Sequence, residues 1–282
     1  MPPSGHPRAT PFVAASVGLH VAGAAALAAW PAAWPAVVAA LVTNHLGLLA
    51  AGLLPRTSLL GANLTQLPPA AVARREIALT FDDGPDPEVT PRVLALLEQH
   101  GARASFFCIG QRAERHPDLV REIARRGHTV ENHSYAHSHA FAFGGPARLR
   151  REIEASSDLI ERLTGRRPAF FRAPAGVRNL FLEGVLQRCD LRLASWTRRG
   201  FDTVSGDPAA ITARLLRSLA AGDILVFHDG GRPPAAVLLR VVEAVLLEAK
   251  ASRLTTAPLG KPAAVAEGGT RRRRKGSGQT WE

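Results

Sequence analysis

Between Arg8 and Arg56 the chain runs for 47 residues without one Lys, Arg, Asp or Glu. A stretch of that length, made mostly of Ala, Leu and Val, has no charged face to offer water, and soluble domains rarely contain one. Pro31 and Pro35 divide it into Pro11 to Trp30 and Ala36 to Leu54. Each half has about 20 residues, the length an apolar helix needs to cross roughly 30 Å of hydrocarbon. Trp30 and Trp34 at the break fit an interfacial aromatic belt. The reading is a two-helix membrane hairpin over residues 1–54, in preference to a cleaved signal peptide, a signal anchor or a buried soluble pair, because a signal peptide wants a stronger basic start and a shorter apolar core. Both ends of a hairpin lie on one side, and Arg8, Arg56, Arg74 and Arg75 all lie at those ends. The positive-inside rule then places the remainder of the chain on the cytoplasmic face of an inner or plasma membrane.

After a Pro-containing connector over residues 55–75, the pattern changes to short apolar runs separated by amphipathic stretches. Strands are expected at Glu76 to Phe81, Ala104 to Ile109, His128 to Glu131, Ala169 to Arg172, Leu191 to Trp196, Ile224 to His228 and Arg253 to Ala257. Helices are expected to begin near Pro91, Pro117, Pro146, Leu180, Pro208 and Pro234, since proline suits the first turn, where N–H groups have no partner within the helix. Thr90 and Asp207 are candidate N-caps. This alternation defines an α/β domain with a parallel sheet, closed into a barrel or open and doubly wound. In either case polar chemistry collects at the C-terminal ends of the strands.

Those strand ends carry the ionisable groups. The first ends Thr80-Phe81-Asp82-Asp83-Gly84-Pro85, where Gly84 and Pro85 break the strand at once and free both carboxylates to face one site. The third leads into His133-Ser134-Tyr135-Ala136-His137. Histidines four apart share one helical face, and imidazole with carboxylate suits Zn²⁺ or a similar divalent ion. His139 falls outside that spacing and reads as a bystander. The fourth ends Arg172-Ala173-Pro174-Ala175-Gly176, an Arg placed to orient a carboxylate beside a turn that offers N–H groups to an oxyanion. The fifth carries Trp196 at its end, with Asp202 following, and the sixth delivers His228. Five strand ends each bear such a group, which coincidence accounts for poorly.

In order and motif by motif, this set resembles the polysaccharide deacetylase family of carbohydrate esterases, which includes chitin, peptidoglycan and nodulation-factor deacetylases. The resemblance rests on TFDDG (Thr80 to Gly84), HSYAH (His133 to His137), RAPAG (Arg172 to Gly176), the Trp196 to Asp202 segment and LVFH (Leu225 to His228), and spans residues 76–258. It implies a distorted (β/α)7 barrel and one divalent metal ion, zinc by chemistry, held by Asp83, His133 and His137. It further implies Asp82 as general base, His228 as the acid that protonates the departing amine, and Arg172 and Asp202 as their supports. The Ala175 N–H would bind the oxyanion and Trp196 would line the substrate pocket. Two departures concern substrate rather than chemistry. Ala175 stands where the family usually has an aromatic residue, and Thr203 where a Trp commonly follows the Asp, which implies a wider or more apolar cleft.

The expected activity is metal-dependent removal of an N-acyl group, acetyl first, from an amino sugar in a polysaccharide or a lipid-linked glycan. The cytoplasmic placement favours a lipid-linked sugar, whereas the opposite face would favour peptidoglycan or an exopolysaccharide. An O-acetyl esterase and a non-catalytic glycan-binding protein are the alternatives. Composition removes other classes. Two cysteines 81 positions apart, Cys108 and Cys189, make neither a disulfide framework nor a zinc finger. The formal charge is +11, but the tail over residues 259–282 holds six basic residues against two acidic ones. It reads as a solvated disordered end, so no nucleic-acid partner is expected.

Overall fold

The computed structural model describes residues 9–231 and 234–260. Arg8 and nearly all of the expected tail lie outside them. The apolar stretch forms helices α1 (Pro11–Ala29) and α2 (Trp34–Leu53), joined by a single 3-10 turn at Pro31–Ala33. Prolines open each element, and the Thr10 hydroxyl caps α1 by accepting from the Val13 N–H at 3.2 Å. The few polar groups meet each other between the helices: Asn44 donates to the Ser16 hydroxyl at 2.8 Å, and the His20 and His45 rings lie 5.2 Å apart, edge to face. Val17, Val21, Val38, Val42, Leu46 and Leu49 are left exposed on the outside. Both helices are long and apolar enough to cross a membrane, and the described residues leave most of their surface uncovered.

Among the described residues, eight strands, all parallel, build the sheet. They are β1 (Glu76–Asp82), β2 (Ala104–Cys108), β3 (Thr129–Asn132), β4 (Phe170–Phe171), β5 (Arg192–Leu193), β6 (Arg198–Arg199), β7 (Ile224–His228) and β8 (Thr255–Thr256). Seven run in the order β5-β4-β3-β2-β1-β7-β6, while β8 pairs only with Glu76 and Ile77 of β1. The expected long fifth strand does not form, because one short segment must serve both edges of the sheet. Arg192 and Leu193 pair with β4, and six residues further on Arg198 and Arg199 pair with β7. The barrel is left open between β5 and β6.

The connector fills that opening instead of hanging free. Leu64 forms a parallel bridge to Ala194, donating to the Leu193 carbonyl and accepting from the Ser195 N–H, both at 2.9 Å. The Thr197 hydroxyl reaches the Thr65 carbonyl at 2.6 Å and the Ser195 hydroxyl reaches that of Pro55 at 2.6 Å. A short helix, α3 (Pro69–Ala73), then leads into β1. At the far end the fold runs past residue 258, since Leu259 is buried and its N–H donates to the Ser105 hydroxyl at 2.7 Å.

Helices α4 (Thr90–Gln99), α5 (Gly110–Arg115), α6 (Pro117–Arg125), α7 (Pro146–Thr164), α8 (Leu182–Arg188), α9 (Pro208–Leu216) and α10 (Ala235–Ala251) follow the expected starts within two residues, except α5, which no sequence signal marked. Asp207 caps α9 through the Ala209 N–H at 2.9 Å. Thr90 does not cap α4: it lies inside the helix, and its hydroxyl is spent on Asp229 at 2.6 Å.

Strand alternation decides which groups reach the site. Ile77, Leu79 and Phe81 of β1 and Leu225 and Phe227 of β7 point to the outer helices, with Phe81 stacked between Phe106 (4.9 Å) and Phe227 (5.3 Å). The residues between them, Ala78, Ile224 and Val226, pack inside the barrel. Period-two alternation carries Thr80, Asp82 and His228 to that inner face.

Candidate active site

Asp82 ends β1 and His228 ends β7, and the two are register partners. Arg172, fully buried just after β4, ties the inner face together. Its guanidinium donates to Asp82 Oδ1 at 2.6 Å, to the Thr80 hydroxyl at 2.8 Å and to the carbonyls of Ala194 (3.1 Å) and Ser195 (2.8 Å), and it lies 4.0 Å over the Phe107 ring. Desolvation works against its charge and the Asp82 carboxylate works for it. A buried cation is tolerated here because its donors are so fully engaged.

His228 is gripped from the other side by Asp202. One carboxylate oxygen takes the His228 backbone N–H and the other faces ring Nδ1, both at 2.8 Å. A carboxylate can only accept, so Nδ1 carries the proton and Nε2 is the nitrogen turned to the pocket. Burial by itself depresses this imidazole. The Asp202 hydrogen bond, with the charges of Asp202, Asp82 and Asp83, outweighs it and leaves the pKa raised.

Asp83 takes a left-handed backbone at φ 70°, which turns its side chain away from the strand alternation. The Arg112 guanidinium of α5 holds its carbonyl at 2.9 Å, and a Cβ at Gly230 would collide with that carbonyl and with Arg112. His133 and His137 are not on a helix, contrary to the four-residue reading. They lie in a loop after β3 in which Ser134 (φ 62°) and His137 (φ 49°) are left-handed, and this fold-back brings the rings to 4.8 Å. Asp83 Oδ1 lies 3.3 Å from His133 Nε2 and 3.2 Å from His137 Nε2, buried and with no hydrogen-bond partner. His133 Nδ1 meets the Arg172 carbonyl at 2.8 Å, which leaves Nε2 as a lone-pair donor.

One carboxylate and two imidazoles converging on an unsatisfied buried oxygen fit a divalent metal ion. The electrostatics agree. Burial and the His133 charge hold His137 at about 4, so it is neutral near pH 7. Burial would raise Asp83, but the adjacent His133 imidazole and the charges of His228 and His137 hold it well below the usual carboxylate range.

The pocket above these groups has a volume of about 170 Å³ and is also lined by Ala175, Gly176, Trp196, Arg199, Thr203 and His139, the expected bystander. Ala175 is left-handed at φ 55° in a turn closed by Gly176 N–H to Ala173 O and Val177 N–H to Pro174 O, bonds that do not use the Ala175 N–H. Gly176 (φ 75°) cannot be replaced: a Cβ there would lie 2.8 Å from Pro55 and from Trp196. Two residues on, the Arg178 N–H donates to the Gly52 carbonyl at 3.1 Å, and its guanidinium donates to the Thr57 carbonyl. The end of α2 is therefore seated on the loop that bounds the pocket.

The sequence did not single out Arg112, Arg199 or Asp229. The last is buried directly behind the Asp82–Asp83 turn, its carboxyl pushed up to about 7, chiefly by burial. A carboxylate next to His228 in a His-Asp-Gly run was the available signal. Cys108 and Cys189 are both buried, and burial pushes each thiol up, away from nucleophile chemistry.

The polysaccharide deacetylase family model matches residues 70–194. A peptidoglycan-N-acetylglucosamine deacetylase of Bacillus cereus is 33% identical over 192 residues, covering 66% of this chain and 68% of its own. A chitooligosaccharide deacetylase of Azorhizobium caulinodans is 32% identical over 163 residues, or 57% and 77% of the two chains. Among solved structures, a family 4 carbohydrate esterase from Streptomyces lividans in complex with acetate superimposes with a TM-score of 0.60 at 31% identity, over 64% of this chain and 91% of that one. Fold and relatives together define a hydrolase of the deacetylase class. The chain belongs to the polysaccharide deacetylase family.

Proposed function

We propose that this protein removes an N-acyl group, acetyl first, from an amino sugar of a glycan, using Asp82 as base and His228 as acid, and that its apolar hairpin holds it at a membrane. The observation that carries the reading is the oppositely supported pair: Arg172 occupies Asp82 Oδ1, which leaves Oδ2 for a proton, while Asp202 occupies His228 Nδ1, which leaves Nε2–H as a donor. The names of the relatives support the substrate class.

Asp83, His133 and His137 would hold the metal. A divalent ion there, zinc best matching the donor set, supplies Lewis-acid polarisation of the acyl carbonyl and makes water a better nucleophile near neutral pH. Asp82 takes a proton from the attacking water as its oxygen adds to the carbonyl carbon. The Ala175 N–H, which its own turn leaves unused, donates to the carbonyl oxygen as charge develops on it. His228 gives its Nε2 proton to the amine nitrogen as the C–N bond breaks, so the products are a free amine and a carboxylic acid, which loses its remaining proton to water at neutral pH. Trp196 walls the pocket beside them.

The test is release of free amine from N-acetylglucosamine oligomers and from a lipid-linked N-acetyl sugar by the purified full chain, before and after chelation and zinc readdition. Chelator-sensitive release from either supports the reading, and absence of release from both by metal-loaded protein refutes it. Fractionation of intact cells tests the anchor: a domain found wholly in the soluble fraction would remove it, and protease access would give the side it faces.

A further inference from the structure

Strand β6 holds two consecutive arginines with opposite fates. Arg198 is consumed by structure: it pairs with Asp223 and donates to the carbonyls of Arg217 and Ser218. Arg199, on the opposite face by strand alternation, lines the catalytic pocket with Asp82, His228 and Thr203. Its guanidinium rests 5.4 Å from the Trp196 ring and 5.0 Å from the Phe201 ring. Its Nε is buried without an acceptor, and among the described residues it forms no ion pair. Neither pocket carboxylate pairs with it: Asp82 is held by Arg172, and Asp83 lies beside the two imidazoles.

A planar cation resting over two aromatic rings, lining a substrate pocket and carrying a buried N–H donor that lacks an acceptor, is built to receive a planar or tetrahedral oxyanion. Leaving such a donor unmatched costs stability unless a ligand satisfies it. Thr203, small and on the same pocket wall, leaves the approach open. We infer that Arg199 is a specificity-determining residue that selects an N-acyl amino sugar carrying a carboxylate or phosphoryl group near the acylated amine. The inference rests on the deacylase reading and names its substrate class.

The experiment compares equilibrium binding of N-acetylglucosamine, N-acetylmuramic acid and N-acetylglucosamine 1-phosphate to the full chain and to its Arg199→Gln and Arg199→Lys variants, each metal-loaded and chelated, with amine release measured in parallel. The expected result is that at least one acidic sugar binds about tenfold more tightly than the neutral one, that the preference survives chelation, and that Arg199→Gln erases it while Arg199→Lys keeps part of it. A preference for the carboxylate identifies a muramic-acid-type glycan, and one for the phosphate a sugar joined through phosphate to a carrier. Equal binding of acidic and neutral sugars overturns the inference, as does a preference that disappears on chelation or persists in Arg199→Gln. Should Arg199→Gln fail to fold, Arg199→Lys decides the question, because a point charge in place of the fork must weaken the preference about threefold or more. Binding with the expected preference but no amine release would refute the deacylase reading and leave the anion site standing.

Discussion

Asp82 and His228 are the last residues of two adjacent parallel strands and stand directly opposite each other in the ladder. Their separation is therefore set by the spacing between strands, about 4.8 Å, and not by a loop. Each is steadied from outside the pair, Asp82 by Arg172 and His228 by Asp202. Two side chains placed this way keep their distance whatever the surrounding loops do.

Replacing either by Asn should lower turnover by about 10²- to 10⁴-fold, the usual worth of a positioned acid or base. Neither residue belongs to the three-donor cluster, so zinc binding, measured by metal content after dialysis, should be retained. Near-native turnover in Asp82→Asn or His228→Asn would withdraw the role assigned to that residue.

The pH profile should carry the mark of Asp202. His228 must be protonated to act as an acid, so activity is lost as pH rises through its pKa, which the Asp202 hydrogen bond and the neighbouring carboxylate charges hold above the ordinary histidine value. Asp202→Asn removes one of those charges and weakens the bond, while burial goes on favouring the neutral ring. The alkaline limb of kcat should then move to lower pH, and an unmoved limb would separate it from His228.

Chelation should lower thermal stability as well as activity. Asp83 Oδ1 has no hydrogen-bond partner of its own, so removing a metal ion bound there uncovers an unsatisfied buried oxygen. At a metal concentration of about 100 times Kd the bound ion adds about 2.7 kcal/mol. For a domain of this size that corresponds to a drop of about 5 to 10 °C in Tm. Calorimetry with and without chelator checks this, and His137→Ala should make the Tm insensitive to the chelator.

The seat between α2 and the pocket loop can be tested at Gly52. A Cβ there would run into the Arg178 carbonyl, so Gly52→Val should cost about 1 to 3 kcal/mol by overpacking. Gly18, in α1, has open space around its would-be Cβ and serves as the control. Urea or heat titration in detergent should separate the two, and equal stability of Gly52→Val and Gly18→Val would show that the seat contributes nothing.

What could be read from the sequence was whatever lies close along the chain. Apolar runs ending in Asp82, Arg172 and His228 announce themselves because a strand and its last residue are contiguous. Asp83, His133 and His137 could be picked out as a candidate donor set, yet the loop holding His133 and His137 could not, since a left-handed Ser134 leaves no trace in a spacing that equally suits a helix. Arg199 and Arg112 were passed over because their significance lies in partners brought up by other elements: Trp196 and Phe201 for the first, the Asp83 carbonyl for the second. The pairing of the connector was illegible for a similar reason. Its prolines and polar residues mark a linker, and only the open edge of a sheet assembled from distant strands gives it something to pair with.

That pairing separates what is shared by descent from what holds together physically. The family match begins at residue 70, whereas the bridge at Leu64 and the carbonyls of Pro55 and Thr65 already belong to the wall of the barrel. A protein whose N-terminal side was cut back to residue 70 would keep every residue assigned to chemistry and lose the piece that closes the seam behind Trp196. It would be a complete catalytic inventory in an unsealed vessel, so the smallest portion of this chain that can be moved intact into another setting starts at the last turn of α2.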